Sequence, residues 1–404
     1  MHSRLNYRKV TKQPRMNLRE VMPLAGITVA AFIFNTSEFM PVALLTDIAA
    51  SFSVSESQVG MLISVYAWMV MALSLPLMML ASRMEFKRLL LLVVTVFAVG
   101  QLLSAISSSY FMLMAARIVV ACAHAVFWSI ASPMAIRVVS EDHRHAAMGI
   151  VVMGSSVALI AGLPIGRVVG LALGWRMTFA CVAVLSVAIL LYLRFALPII
   201  PATEPFSPRK LPSLLRTASL RSIYVFTAII ITGYYVCYSY IEPYMLQVVG
   251  MEETAVTAVI SVFGIAGIVG SLLFSKYYAR IRLKFFFVAA LGVMIGLFVL
   301  KLASAGMGVA FTVCAGLGLF VTALNVAMQS EVIRNSKLDD QAVATSIYSG
   351  IFNLGIGSGS AIGGVVVNEL GIAAIGFAGG ALAVIALLYC GFVLLPRLNA
   401  GLYR

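Results

Sequence analysis

Long apolar runs, each ended by a short cluster of charged or turn-forming residues, repeat along the whole chain. A membrane-crossing helix needs about 20 mainly apolar residues. Cutting at the charges predicts about twelve such spans. The first half gives 22–46, 58–81, 89–108, 111–138, 146–170 and 176–197. The second gives 222–247, 255–279, 285–304, 308–333, 341–367 and 372–395. Between the halves runs PIIPATEPFSPRKLPSLLRTASLR, where Pro198, Pro201, Pro205, Pro208 and Pro212 deny a continuous helix. The pattern predicts an all-α polytopic membrane protein with a six-helix bundle in 1–197, a linker in 198–221 and a second bundle in 222–404.

Composition agrees with that reading. Of 404 residues, 62% are hydrophobic and 11% charged, whereas a soluble domain is about half apolar and a quarter charged. Such a chain has too little polar surface to be covered by water. The net charge of +13 does not point to nucleic acid, because the cations alternate from loop to loop. The N-terminus (Arg4, Arg8, Lys9, Lys12, Arg15, Arg19), the loops holding Arg83, Lys87 and Arg88, Arg137 and Arg144, Lys276 to Lys284, and Arg334 and Lys337, the linker, and the tail with Arg397 and Arg404 are basic. Intervening loops carry mainly Asp47, Glu56, Glu252, Glu253 and Glu369, with Arg176 and Lys301 as exceptions. The positive-inside bias then places both termini in the cytoplasm. The first span is too long for a signal-peptide core, and no small-residue cleavage site ends it. Five cysteines fall within apolar runs and read as small buried hydrophobes.

The polar residues inside the spans are the candidate chemistry. Asn35 and Glu38 are three residues apart and share one helix face. An intramembrane acid is costly and usually faces a bundle interior or a wet path. At about 1.5 Å per residue, Asn35, His124 and Asn353 fall near the midplane, with Asn325 slightly below and Gln329 one turn further. Arg117, His124 and Trp128 form one stripe, and Tyr235, Tyr238 and Glu242 form another. Aromatic rings beside amides and a carboxylate suit a sugar, whose C–H face stacks and whose hydroxyls need partners. Plainer readings compete: Asn325 and Gln329 as interhelical glue, His124 as a packing residue, Trp128 as core or lipid filler, and the tyrosines as an interfacial belt. Arg117 and Glu38 have similar depths and are expected to couple. Arg167, near the end of its span, is read first as a snorkelling side chain. His143 and His145 are expected to be inert in a solvated loop.

The halves echo each other weakly. SEFMP pairs with YIEPY, putting Glu38 opposite Glu242 about 204 residues on, and GLPIGRVVG pairs with GSAIGGVVV. Two similar halves are the layout of a rocking transporter with a midplane site. The glycines of GIFNLGIGSGSAIGG follow no strand and hold no P-loop lysine, so close helix packing accounts for them. No H-E-x-x-H or G-x-S-x-G occurs, and no enzyme, cofactor or metal is expected.

Several stretches resemble the major facilitator superfamily, and within it the drug and sugar/proton antiporter group. LTDIAASFSVSESQVG (45–60) is similar to the group's motif at the end of helix 1. AARIVVACAHAVFWS (115–129) resembles the helix 4 motif built around an arginine, here Arg117. AGLPIGRVVGLALGWR (161–176) resembles the helix 5 antiporter motif, with GLPIG in place of G-P-x-x-G-G. LASRMEFKRLLL corresponds to the loop motif between helices 2 and 3, with Ser82 where an aspartate is expected. AAFIFNTSEFMPVALLTDIA, AHAVFWSIA, YSYIEPY and SGIFNLGIG together look like bacterial sugar efflux transporters of the arabinose and thiogalactoside exporter type. The resemblance implies export of a small sugar (arabinose, lactose or a thiogalactoside) across the bacterial inner membrane, in exchange for protons, by a monomer. Glu38, His124 and Glu242 are the candidate proton carriers, with Arg117 beside them. A multidrug/proton antiporter of the same fold is the alternative.

Overall fold

A computed structural model describes residues 16–81, 84–201, 211–337 and 340–400. Arg4, Arg8, Lys9, Lys12 and Arg15, the loop residues Ser82 and Arg83, the linker's Pro205 and Pro208, and Arg404 lie outside the described residues, as does the His145 side chain.

Helix α1 (Leu18–Ala43) starts at a capping box, with the Asn17 side chain accepting from the Glu20 N–H and the Glu20 carboxylate accepting from that of Asn17. Pro41, near its other end, has no N–H for the carbonyl one turn back. The helix stops at Leu44 (φ −130°, ψ 26°), and α2 (Leu45–Phe52) resumes at a new angle. Next come α3 (Glu56–Ala81), α4 (Phe86–Ala105) and α5 (Tyr110–Arg137). Then α6 (Arg144–Val157) and α7 (Leu163–Leu173) form one pass, joined by a π-helical turn over 158–162 beside Pro164, and α8 (Trp175–Ala196) closes the half. Such widened turns occur where a proline breaks the hydrogen-bond ladder.

The linker begins along the base of this half: Ile200 and Leu197 carbonyls accept from the Phe86 N–H and Lys87, and Arg137 donates to the Pro201 carbonyl. It includes a short helix, α9 (Leu211–Arg216), with Pro212 in the first turn, where a missing N–H costs nothing. The second half holds α10 (Ala218–Tyr238), α11 (Ile241–Gln247), α12 (Glu253–Val299), α13 (Met307–Arg334), α14 (Gln341–Leu370), α15 (Ile375–Tyr389) and α16 (Leu395–Ala400).

Eleven helical stretches among the described residues are long and apolar enough to span a bilayer. One of them accounts for two predicted spans. Helix α12 has 47 residues, roughly 70 Å of helix against about 30 Å of hydrocarbon, and it bends at the non-helical Ile281 (φ −129°, ψ 34°). Its two legs lie side by side: residues 317–322 of α13 touch Phe263, Gly267 and Gly270 on one leg and Gly292 and Gly296 on the other. The chain therefore makes twelve passes, as the hydropathy predicts, and both described ends lie on one side, called the termini side below.

Both first helices break, at Leu44 and at Tyr240 (φ −116°, ψ 18°), in matching backbone conformations. This relates the halves by 196 residues, so Glu242 corresponds to Thr46, not to Glu38. The GLPIGRVVG and GSAIGGVVV pairing, 197 residues apart, lies within one residue of that register. The SEFMP and YIEPY pairing does not, because apolar segments match easily two turns out of step.

The glycines of α14 serve packing, as expected. Gly355, Gly359 and Gly363 let α14 approach α10, while Gly357 and Gly364 face Trp68 and Ser57 of α3 in the other half. A Cβ on Gly363 would lie 2.6 Å from the Val236 carbonyl oxygen. Gly363→Leu is expected to cost about 1–3 kcal/mol by overpacking, read as earlier thermal aggregation of the detergent-solubilised protein; an unchanged melting curve would refute this packing role.

Two polar clusters on the termini side were not expected. His143 is buried, not solvated: its Nδ1 lies 3.3 Å from the Glu20 carboxylate, which also accepts from the Ser140 N–H at 2.6 Å. This ties the start of α1 to the turn between α5 and α6. In the second half, fully buried Glu331 accepts from both Arg282 and Tyr278, pinning the bend of α12 to the end of α13.

Candidate functional site

The first half encloses a charged core beside the broken end of α1. Arg117 on α5 is fully buried. It donates to the Ser37 hydroxyl at 3.1 Å and to the Glu38 main-chain carbonyl at 3.2 Å, with the Tyr66 ring 4.4 Å beneath its guanidinium. Gln101 on α4 also donates to Ser37. Pro41 has no N–H for the Ser37 carbonyl, so the helical ladder is interrupted on the turn that Arg117 reaches. Arg117 and Glu38 are adjacent, as expected, but the Glu38 carboxylate turns to His124, whose Nε2 is 3.5 Å from it. Tyr66 and Trp128 flank the His124 ring at 5.5 Å and 6.1 Å between centroids. The Tyr66 hydroxyl and His124 Nδ1 are buried without a hydrogen-bond partner among the described residues.

The second half presents a polar wall. Asn325 and Gln329 on α13, with Thr345, Tyr348, Ser349 and Phe352 on α14, line a cavity of about 180 Å³ in the termini-side part of the membrane section. Asn353, one turn beyond Ser349, donates to the Ser349 carbonyl at 3.0 Å, while its own Oδ1 is buried with no partner among the described residues. Tyr234, Tyr235 and Tyr238 on α10 form an aromatic cluster deeper in, and Tyr235 faces Phe39 of the other half at 6.3 Å.

The hydrogen bonds that join the halves cluster on the side away from the termini. Trp68 on α3 donates to the Ser358 hydroxyl (3.4 Å), and Ser360 donates to the Gly60 carbonyl (2.9 Å). Beyond them, Arg167 on α7 donates to the Ala43 carbonyl at the end of α1, to Glu242 at 3.1 Å and to Glu253. Glu242 also accepts from the Thr46 N–H (3.2 Å) and hydroxyl (2.9 Å). Gln247 reaches Glu56 at 2.5 Å. Arg167 and Glu242 are both 0% exposed, so the expected snorkelling of Arg167 is wrong. The broken helix supplies acceptors inside the protein, and a cation is favoured at a helix C-terminus.

The expected site residues thus separate into three places. Glu38, Arg117, His124 and Trp128 meet in the first half. Asn325, Gln329 and Asn353 lie on the opposing wall, with Tyr235 and Tyr238 above. Asn35 donates to the Ser155 carbonyl of α6 at 3.1 Å, beside this group. Glu242 belongs to the far-side seal with Arg167 and Thr46, and not to the stripe of Tyr235 and Tyr238, because the break at Tyr240 takes it off their face. Trp68, Thr46, Tyr348 and Glu253 were missed. Nothing in the sequence marked Trp68, and only the placement of a tyrosine among serines and a glycine marked Tyr348.

A model of the Major Facilitator Superfamily matches residues 27–337 and 223–402, two stretches starting 196 residues apart. The chain is 39% identical over 374 residues to a "Probable sugar efflux transporter" of Mannheimia succiniciproducens, covering 93% of this chain and 94% of that one. It is 38% identical over 384 residues to the protein of the same name from Helicobacter pylori, covering 95% and 98%. A third relative of that name, from Pasteurella multocida, is 39% identical over 91% of each chain. Among solved structures, a bacterial homologue of the human lysosomal transporter Spinster, in an inward-facing and occupied conformation, superposes with a TM-score of 0.73 at 17% identity, covering 94% of this chain and 97% of that one. That last likeness is one of fold alone.

Proposed function

We propose that this chain, which belongs to the major facilitator superfamily and within it to the bacterial sugar efflux transporters, exports small sugars from the cytoplasm in exchange for protons. It is a transporter and not an enzyme. The basic loops put the termini side in the cytoplasm, so the far-side seal faces outward and the polar wall is reached from inside. The halves, 1–197 and 222–404 with the linker 198–221 between them, rock about the contact of α3 with α14. A sugar enters from the cytoplasm, the termini side closes over it, and the seal at Arg167 and Glu242 parts to release it.

The observation that carries a sugar over an amphipathic drug is the chemistry of the wall. Five of its six lining side chains can hydrogen-bond, whereas pockets for drug-like ligands are mainly apolar. The aromatic rings of Trp128, Tyr235 and Tyr238 supply the stacking surface. Glu38 and His124 carry the proton: they adjoin each other in the first half, whereas Glu242 is closed off from the cytoplasm in this conformation.

Counterflow in proteoliposomes tests the substrate class without any gradient. Vesicles preloaded with unlabelled arabinose or thiogalactoside are expected to take up the labelled sugar. Gln329→Ala is expected to raise KM about fivefold to tenfold, the worth of roughly one net hydrogen bond. Exchange of amphipathic cations with no exchange of sugars would replace this reading with the drug antiporter.

A further inference from the structure

We propose that Tyr348 is a positioning residue: it fixes the orientation of the Asn325 amide, making the second-half wall present a hydrogen-bond donor to an acceptor oxygen of the substrate. The inference rests on the sugar reading above and deepens it.

Tyr348 is 4% exposed, and a phenol at that depth must find an acceptor for its proton. Two are within reach. The Asn325 Oδ1 is at 2.6 Å, and the Asn325 main-chain oxygen is at 3.5 Å, beyond the distance of a good bond. The phenol therefore holds the amide oxygen. An amide has its oxygen and its NH2 on opposite sides of one planar group, so fixing the oxygen on Tyr348 turns the two N–H donors the other way. Asn325 lines the cavity of about 180 Å³, and its NH2 is the group left to meet a ligand there.

Asn353 has the opposite polarity. Its NH2 is spent on the Ser349 carbonyl, and its buried Oδ1 has no partner among the described residues, so it offers an acceptor. One asparagine is set as a donor and the other as an acceptor, each by a hydrogen bond on its far side. A hydroxyl is both donor and acceptor, so a polyol surface can satisfy both. A substrate lacking an acceptor oxygen at the Asn325 position leaves a desolvated N–H unpaired, the arrangement that discriminates most strongly between otherwise similar ligands.

Counterflow of a thiogalactoside and its single-deoxy analogues, in parent, Tyr348→Phe, Asn325→Ala and double-variant vesicles, tests this. The phenylalanine keeps the ring and removes only the hydroxyl. In the parent, one deoxy position is expected to raise KM about fivefold to tenfold. Tyr348→Phe is expected to raise KM for the intact sugar by a similar factor, to keep kcat within about twofold, and to lose discrimination at that one position. The double variant is expected to match Asn325→Ala, because the two residues act through one contact. A Tyr348→Phe protein with parental KM and discrimination, or one whose effect adds fully to that of Asn325→Ala, overturns the proposal while leaving sugar export standing. If the parent itself exchanges no sugar, both readings fall together.

Discussion

Arg167→Ala is expected to open the far side of the protein. The guanidinium is fully buried, closes the end of α1 at the Ala43 carbonyl, and pairs with Glu242 and Glu253 across the two halves. Removing it leaves the Glu242 carboxylate buried with Thr46 as its one remaining partner among the described residues. Breaking a buried pair from one side costs about 3–5 kcal/mol, which is a factor of roughly a hundred to several thousand against the sealed conformation. The loss is local to that conformation, because in a far-side-open state Glu242 regains water. Labelling of a cysteine placed at Ser239, a buried position in the break between α10 and α11, by a membrane-impermeant thiol reagent reports the change. The parent is expected to react slowly and Arg167→Ala quickly. Arg167→Ala combined with Glu242→Gln is expected to react more slowly than Arg167→Ala alone, since the stranded charge is gone. Equal protection in the parent and in Arg167→Ala would show that the seal does not depend on this contact.

Glu38→Gln is expected to separate sugar movement from the proton gradient. The carboxylate lies 3.5 Å from His124 Nε2 and beside Arg117, where a change in its charge is felt by both halves of the first-half core. The amide keeps the shape and cannot take up a proton. For one proton per sugar, a pH step of two units supplies about 2.7 kcal/mol, enough for about 100-fold accumulation of substrate. The parent is expected to build such a gradient. Glu38→Gln is expected to exchange sugar across the membrane yet stop at equal concentrations. Accumulation at the parental level in Glu38→Gln would remove this carboxylate from the coupling path and leave His124 to be tested in its place.

The spans were legible because a bilayer demands runs of apolar residues whatever the tertiary structure, and the two legs of α12 follow from the charges at Lys276 to Lys284, which flank the bend at the non-helical Ile281. The packing role of the α14 glycines was legible for a similar reason: no lysine and no strand accompanied them. What escaped the sequence was irregular backbone. Neither Leu44 nor Tyr240 is a glycine or a proline, and each break lies inside an apolar stretch, so hydropathy ran straight through both. Missing them misplaced Glu242 by two turns relative to Glu38 and sent Arg167 to the lipid surface, when the free carbonyl at Ala43 was what held it inside. Contacts such as Arg282 with Glu331 join residues 49 apart, and nothing local in the sequence marks such a pair. The polar residues counted to similar depths fall on two facing walls, and which wall each one takes was not legible, because depth along a straight helix can be counted while direction around a broken one cannot.

If protons moving one way drive a sugar the other way through the space between the halves, a proton gradient alone concentrates sugar. Uptake of labelled arabinose or thiogalactoside into proteoliposomes with an acidic interior tests it most directly, since protons leaving the vesicle should draw sugar in. Accumulation above the outside concentration is expected, abolished by a protonophore and by Glu38→Gln. Sugar uptake that levels off at equal concentrations, with or without the protonophore, would contradict it.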